Sequence, residues 1–213
     1  MAGVVEVDFR PSEHGWHFAN DWPGGAPAGL AGVTLGRVYG GLCGGMCVMA
    51  AQAWLRGTAL PPDRAAPRDG LLTTALWQAQ LASLDLPSGP LQYLRLQVPT
   101  AAAARRRSTL GSAIPSVRRQ LRMGRPALLG LIRATSWNPG VLSRHHVVLA
   151  YRVEVRRSAP DLPASRVVLR VYDPNHPDDD RVRLDITPDG AVDHCRSREP
   201  VHALVALDSP SRS

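Results

Sequence analysis

The stretch "YGGLCGGMCVMAAQAWL", Tyr39 to Leu55, places two cysteines at the beginning of an apolar run. Four of its residues recur at the three- and four-residue spacing of one helix face: Cys43, Cys47, Ala50 and Trp54. Gly57 follows where a glycine commonly ends a helix. The pattern predicts a helix from Cys43 to about Arg56, with Cys43 in its first turn.

A cysteine at a helix start is favoured as a thiolate, because the positive end of the helix dipole and the free backbone N–H groups stabilise negative charge. A thiolate at neutral pH is a nucleophile. The glycines on both sides of Cys43 allow a substrate carbonyl to come close to the backbone. Cys47 lies one turn further into the predicted helix, where a small buried residue is the expected role. Cys43 is therefore the predicted nucleophile.

Composition limits the class of protein. The chain has 213 residues, of which 44% are hydrophobic, and this is enough for one domain with a large core. We expect a single domain over residues 1–208 and a flexible tail at 209–213. The N-terminal sequence does not have the pattern of a secretory signal, and no apolar run reaches the roughly 20 residues of a membrane span. Three cysteines without a disulfide pattern favour a cytoplasmic protein.

All 25 basic residues are arginines, and the formal net charge is +7. Short arginine runs could bind acidic partners, but they are scattered along the chain and aromatic residues are scarce, so we interpret them as solvated surface. A nucleic-acid binder stays an alternative of low weight. The sequence does not indicate an oligomeric state.

Helical periodicity also marks "LLTTALWQAQLASL", and Pro115 fits the first turn of a short helix ending at Gly124. The first forty residues predict an irregular segment with one strand, Val4 to Phe9, and "TAAAARRRST" is expected to be exposed. The second half contains valine- and leucine-rich runs typical of antiparallel strands: "PALLGLI", "HHVVLAYRVEV", "SRVVLRVYD", "RVRLDI" and "HALVALD". The predicted fold class is α+β, with an N-terminal helical half packed on a C-terminal antiparallel sheet.

A catalytic thiolate needs an imidazole, and two histidines open the run "HHVVLAY". If the following hairpin turns between Ala159 and Pro160, His146 lies opposite Asp173, on the same side of the sheet. His145 would then point to the other side. A register shifted by two residues would instead bring Asn175 opposite His146.

The motifs "GLCGGM", "HHVVLAY" and "YDPNHP" resemble papain-like cysteine peptidases, and among them a bacterial group with a Gly-Leu-Cys-Gly-Gly-Met motif. The resemblance covers most of residues 16–177 in order. It implies a papain-like fold and a catalytic triad of Cys43, His146 and Asp173. It also implies a hydrolase or acyltransferase that acts on a peptide, isopeptide or other amide bond through an acyl-thioester, without cofactor or metal.

The chain departs from that family at two places. Arg37 stands where papain-like enzymes usually have the glutamine that helps to bind the oxyanion, so Asn20, Arg37 and Asn175 are the candidates for binding the oxyanion or positioning the substrate. "CGGMC" is one residue longer than the papain pattern, which leaves an alignment of the nucleophile onto Cys47 open. Arg37 also supports the alternative of a catalytically inactive papain-like binding module.

Two metal sites have weak support in the sequence. "DPNHPDDD" is rich in oxygen ligands for calcium, but it lacks the glycine and the distal glutamate of a calcium loop. A zinc site from Cys43, Cys47 and Cys195 does not fit the usual paired spacing. We therefore expect neither metal.

Overall fold

The structure is a computed structural model that describes residues 3–22, 26–30, 33–38, 41–67, 70–84, 88–157, 165–208 and 210. The described residues form six α-helices: α1 Pro11–His14, α2 Cys43–Arg56, α3 Leu71–Ser83, α4 Ser88–Gln97, α5 Ala102–Arg106 and α6 Ile114–Arg122. They also form nine strands: β1 Gly3–Glu6, β2 Ala26–Leu30, β3 Val33–Val38, β4 Ala127–Ile132, β5 His146–Arg157, β6 Ser165–Tyr172, β7 Arg183–Ile186, β8 Val192–His194 and β9 Ala203–Ala206. The expected mixture of helices and antiparallel strands is confirmed.

One antiparallel sheet has the strand order β8-β7-β6-β5-β4-β9. The long strand β5 pairs with β6 along one edge, and its other edge is shared by β4 near its start and by β1 further along. Strand β1 therefore brings the beginning of the chain into the sheet. Every residue of β4 is buried, so this part of the sheet is covered on both faces.

Helix α2 packs against β5 and against α3. Its predicted bounds are confirmed, and Gly57 ends it in the left-handed conformation (φ 67°), donating its N–H to Ala53 and Trp54. The α2–α3 contact is very close, because a Cβ on Gly45 would lie 2.1 Å from the carbonyl oxygen of Leu76. The glycines after Cys43 thus allow α3 to approach the start of α2.

The N-terminal segment is more regular than expected. The early strand ends at Glu6 rather than Phe9, and β2 and β3 form a second, two-stranded sheet where no strands were predicted. Local sequence gave little sign of this hairpin, because glycine and proline are poor strand formers.

The segment "TAAAARRRST" is also different from its prediction. It forms α5 and the beginning of a π-helical stretch, Arg107–Ala113, which runs directly into α6. Ser108 and Thr109 are buried and bind the backbone oxygen and nitrogen of Leu204 in β9, respectively. Short polar side chains such as these can be buried because they hydrogen-bond to backbone groups of a neighbouring element. The segment, which was expected to be exposed, is therefore buried at Ser108 and Thr109 and exposed or half-buried elsewhere.

The assumed register of the β5–β6 hairpin was wrong as well. Leu149 lies opposite Tyr172 and Arg152 opposite Arg170, with a bulge between them at Tyr151. Relative to the expected pairing, β6 is shifted by two to three residues, and the ladder ends before His146. The expected turn at Ala159 and Pro160 lies outside the described residues, as do residues 209 and 211–213 of the expected tail. The offset is already three residues at Arg157 and Ser165, next to the turn, and the bulge reduces it to two, so the assumed position of the turn was the error.

No helix in the described ranges is long and apolar enough to cross a membrane.

Candidate active site

Cys43 is the first residue of α2, and the segment before it is fixed by Asn20. The Oδ1 atom of Asn20 accepts a 2.7 Å hydrogen bond from the N–H of Leu42. Gly41 has φ 78°, and a Cβ there would lie 2.3 Å from the Asn20 side chain. Only glycine combines this conformation with so close a neighbour. The "GLC" motif and Asn20 together therefore set the entry of the chain into the helix.

The Cys43 side chain is almost fully buried, with 4% of the residue exposed. Burial alone would raise the pKa of this thiol. The positive charge of His146, a hydrogen bond with His146 and hydrogen bonds from the backbone of Val147 and Gly44 outweigh it, so that the pKa of Cys43 is lowered from its ordinary value. The residue predicted to be the nucleophile thus lies where its thiolate form is favoured.

His146 opens β5 and forms a buried pair with Asp173. Its Nε2 atom lies 2.6 Å from Oδ1 of Asp173, and the two residues are 4% and 1% exposed. Burial would lower the pKa of His146, but the charges of Asp173 and Cys43 and hydrogen bonds with both raise it to about 9. Because Nε2 faces the carboxylate, Nδ1 is the nitrogen left for Cys43. The structure therefore brings Cys43, His146 and Asp173 together in the predicted order.

The contact between His146 and Asp173 forms outside the β5–β6 ladder. Asp173 follows directly after β6, and its Oδ1 atom also accepts a 2.9 Å hydrogen bond from the N–H of Asn175. This Asx-type turn directs the carboxylate back toward the start of β5. The predicted partner is thus the observed one, although the predicted strand register is not.

Sequence reasoning did not include His194, which also contacts Asp173. The Nε2 atom of His194, at the end of β8, lies 3.0 Å from Oδ2 of Asp173, and both side chains are fully buried. Both carboxylate oxygens are therefore used. Burial would raise the pKa of Asp173, but the charge of His146 and hydrogen bonds from His146, His194 and the backbone of Asn175 hold it well below its usual range. Nothing in the local sequence "VDHCRS" indicates this contact.

Cys47 lies in a different environment from Cys43, although both are on α2. Its thiol points to the backbone oxygen of Val147 at 3.6 Å and is completely buried. Burial and the nearby negative charges of Cys43 and Asp173 raise the pKa of Cys47 well above its ordinary value. A protonated, buried thiol is a poor nucleophile. This geometry favours Cys43 over the alternative alignment onto Cys47.

A cleft of about 260 Å³ opens beside Cys43. Its walls come from the start of α2, from α3 and α4, from the segment before β5 and from β5 itself: Gly41, Cys43, Gln80, Leu84, Pro90, Tyr93, Leu142, Ser143, His145 and Val147. No Asp, Glu or Arg is among these lining residues. Burial lowers the pKa of His145 to about 4, helped by the charge of Arg144, so His145 is neutral at pH 7. The cleft therefore offers an uncharged, largely apolar surface next to the thiol.

Gln80 is a second residue that sequence reasoning did not include. Its Oε1 atom accepts a 2.9 Å hydrogen bond from the N–H of Gly45. Because the backbone N–H of Gly45 can only donate, the amide oxygen of Gln80 must face it. The amide nitrogen of Gln80 then points away from Gly45. Within the described part of the chain, that nitrogen makes no hydrogen bond to protein. Gln80, which lines the cleft, thus has an N–H donor group that no other described residue uses.

No family model, curated protein or solved structure matches this chain.

The three candidates for binding the oxyanion differ in position. Asn20 adjoins the start of α2 and donates from Nδ2 to Oδ1 of Asn175 at 3.3 Å, in addition to binding Leu42. Asn175 donates its backbone N–H to Asp173, and its exposed side chain accepts the hydrogen bond from Asn20. Arg37 lies in β3, but its side chain is outside the described part of the structure. Asn20 is the candidate whose side chain binds the segment that leads into Cys43.

Among the described residues, no group of three or more His, Cys, Asp and Glu side chains is arranged to hold a metal ion. In the acidic loop after Asp173, carboxylates accept hydrogen bonds from other residues of the protein. Asp180 accepts from the N–H and the hydroxyl of Ser12, and Asp179 accepts from the N–H of Arg181 and the side chain of Arg196. Cys195 contacts the backbone of Arg181 and Arg183.

Proposed function

We propose that this protein is a papain-like thiol hydrolase or acyltransferase that cleaves a peptide, isopeptide or other amide bond. One observation carries the proposal. A thiol of lowered pKa at a helix start contacts a buried imidazole, and the imidazole is bound at 2.6 Å by a buried carboxylate. Nucleophile, base and orienting group in this arrangement are the features of nucleophilic acyl transfer.

The reaction follows from the charges of the three groups. Between the lowered pKa of Cys43 and a pH of about 9, the site holds a thiolate and an imidazolium. The sulfur electron pair attacks the carbonyl carbon and forms a C–S bond, while charge collects on the carbonyl oxygen. When the C–N bond breaks, the leaving amine takes the proton from Nδ1 of His146. An acyl-thioester on Cys43 remains.

The second half of the reaction reverses these proton movements. Neutral His146 takes a proton from water, and the resulting hydroxide attacks the thioester carbon, which restores the thiolate and the imidazolium. An amine or alcohol in place of water gives acyl transfer instead. Asp173 keeps Nδ1 of His146 directed at the reacting atoms in both halves and stabilises the imidazolium.

Negative charge on the carbonyl oxygen needs hydrogen-bond donors. The N–H of Cys43 is in the first turn of α2, where no intrahelical acceptor is available. Asn20 can supply a second donor, because its Nδ2 carries two N–H bonds and only one contacts Asn175. The amide nitrogen of Gln80, which has no hydrogen-bond partner among the described residues, is suited to a substrate carbonyl further along the cleft.

Two features of the fold support the papain-like assignment. Helix α2 carries Cys43 at its start and packs directly on β5, which carries His146 at its start. Asp173 follows the next strand. The order along the chain is therefore cysteine, histidine, aspartate, the order expected from the resemblance to papain-like peptidases. A cytoplasmic location remains part of this proposal.

Iodoacetamide labelling tests the thiolate. At pH 6, Cys43 should react at least about tenfold faster than a free thiol with a pKa of about 8.5, of which only about 0.3% is thiolate. Peptide mapping by mass spectrometry separates Cys43 from Cys47 and Cys195. A rate at pH 6 no faster than that of the free thiol would remove the chemical basis of the proposal and favour the inactive binding module.

A second measurement tests acyl transfer itself. Incubation with p-nitrophenyl acetate should add one acetyl group to Cys43, and hydroxylamine should remove it. Cys43→Ala should abolish this modification, while Cys47→Ala, a matched change one helical turn away, should retain it. Acetylation that persists in Cys43→Ala would contradict the assignment.

A further inference from the structure

His194 is a second histidine bound to Asp173, and the proposed reaction does not involve it. His146 occupies Oδ1 at 2.6 Å and His194 occupies Oδ2 at 3.0 Å. The Asp173 side chain has no exposed surface, so these contacts and the N–H of Asn175 replace the water that a carboxylate would otherwise bind. A buried carboxylate without such donors is strongly disfavoured.

The backbone around His194 determines which of its nitrogens carries the proton. The Nδ1 atom lies 3.2 Å from the N–H of Arg196 and 3.1 Å from the N–H of Ser197. Both groups can only donate, so Nδ1 must be the acceptor, and in the neutral ring the proton is on Nε2. His194 is therefore locked as a donor toward Asp173.

We propose that His194 is a positioning residue of this site, which donates a hydrogen bond to Asp173 and holds the carboxylate in the orientation that His146 requires. The inference rests on the proposed function and extends the Cys43–His146–Asp173 site by a fourth residue. His194 does not touch the reacting atoms. It acts through Asp173, in the way that supporting residues around a site fix the residues that do the chemistry.

Loss of His194 would leave Oδ2 of Asp173 buried without a donor. The carboxylate would then rotate away from His146, admit water, or take up a proton at higher pH, and each outcome weakens its hold on the imidazole. The titratable groups that interact with Asp173 come from α2, β5, β6, β8 and the loop after β6: Cys47, His146, Tyr172, His176 and His194. Among them, only His146 and His194 donate to the carboxylate.

Three variants separate this role from a general effect on folding. His194→Leu removes the donor. His194→Gln keeps an N–H group near the position of Nε2. His176→Gln is the matched control. The ring of His176 lies beside that of His194, with ring centres 5.9 Å apart, but its side chain does not hydrogen-bond to Asp173 in the described structure and is partly exposed. The measured quantity is the rate constant for alkylation of Cys43 by iodoacetamide from pH 4.5 to 9.

We expect His194→Leu to lower the rate at pH 6 by about 10- to 100-fold, the range for losing a hydrogen bond to a charged group. The acid limb of its pH profile should move to higher pH. His194→Gln should recover most of the rate, and His176→Gln should stay within about twofold of the unmodified protein. A folded His194→Leu protein with the original rate and acid limb would overturn the proposal, as would a His194→Gln protein no faster than His194→Leu.

A measurement on the unmodified protein covers the case in which His194→Leu does not fold. Nuclear magnetic resonance should detect His194 as the Nε2–H tautomer, and its Nε2 signal should shift when Cys43 is alkylated, because the charge of His146 changes with the thiolate. An Nδ1–H tautomer, or a signal that does not respond, would refute the inference. A slow Cys43 in the unmodified protein would instead refute the proposed function, so the two failures are distinguishable.

Discussion

Replacement of Asp173 by Asn tests how much of the thiolate depends on the buried carboxylate. The amide has nearly the same shape but no charge. Without the carboxylate, burial becomes the dominant influence on His146 and favours the neutral imidazole. A neutral imidazole no longer stabilises the thiolate, and burial then favours the protonated thiol of Cys43. We expect the reactive ion pair to be largely lost in Asp173→Asn.

The size of the effect follows from the pKa of His146. A rise from the ordinary value of 6.5 to about 9 corresponds to an about 300-fold higher proton affinity of the imidazole. Because burial opposes the rise, the contributions of Asp173 and Cys43 together exceed this net factor, and the charge of Asp173 is the larger of the two. We expect the alkylation rate of Cys43 at pH 6 to fall between about 10- and 300-fold.

The assay is iodoacetamide labelling across pH, with each cysteine followed separately by peptide mapping. Asp193→Asn is the matched control, because Asp193 adjoins His194 in β8 but is exposed to solvent. The same loss of charge there should change the rate by less than about twofold, since exposed charges are screened. Thermal unfolding of both variants shows whether the fold is retained.

A folded Asp173→Asn protein that keeps the full rate at pH 6 would show that Asp173 does not support the thiolate. An equally large fall in Asp193→Asn would show that the effect is a general one of net charge. Either result would contradict a specific role of the buried His146–Asp173 pair in stabilising the thiolate.

Two further predictions concern the start of α2. Gly45→Ala should lower the free energy of unfolding, measured by urea denaturation, by about 1–3 kcal/mol, because the added Cβ would collide with the carbonyl oxygen of Leu76. Gly111→Ala is the control, because a Cβ there meets nothing within 4 Å. It should lower the free energy of unfolding by less than about 0.5 kcal/mol. Equal losses in both would contradict the close α2–α3 contact. Asn20→Ala should lower the unfolding free energy by about 1–3 kcal/mol because it leaves the Leu42 N–H without its acceptor, whereas Asn20→Asp keeps an acceptor and should recover part of that loss. No recovery by Asn20→Asp would show that Oδ1 does not support this turn.

Local sequence determined several parts of this protein correctly. The helix from Cys43 to Arg56 follows from residues three and four apart and from Gly57 at its end, and the strands that carry His146 and precede Asp173 follow from runs of β-branched residues. These features depend on neighbours in the chain, and so they are readable without the tertiary structure.

The tertiary structure alone decided how the predicted residues meet and which further polar groups join them. The bulge at Tyr151 changed the strand register, yet the turn after β6 still directed Asp173 to His146. His194 and Gln80 reach the site from β8 and α3, and no motif marks either residue. A hydrogen bond between such residues depends on turn geometry, on bulges and on how helices pack, and none of these has a period that can be read along the chain.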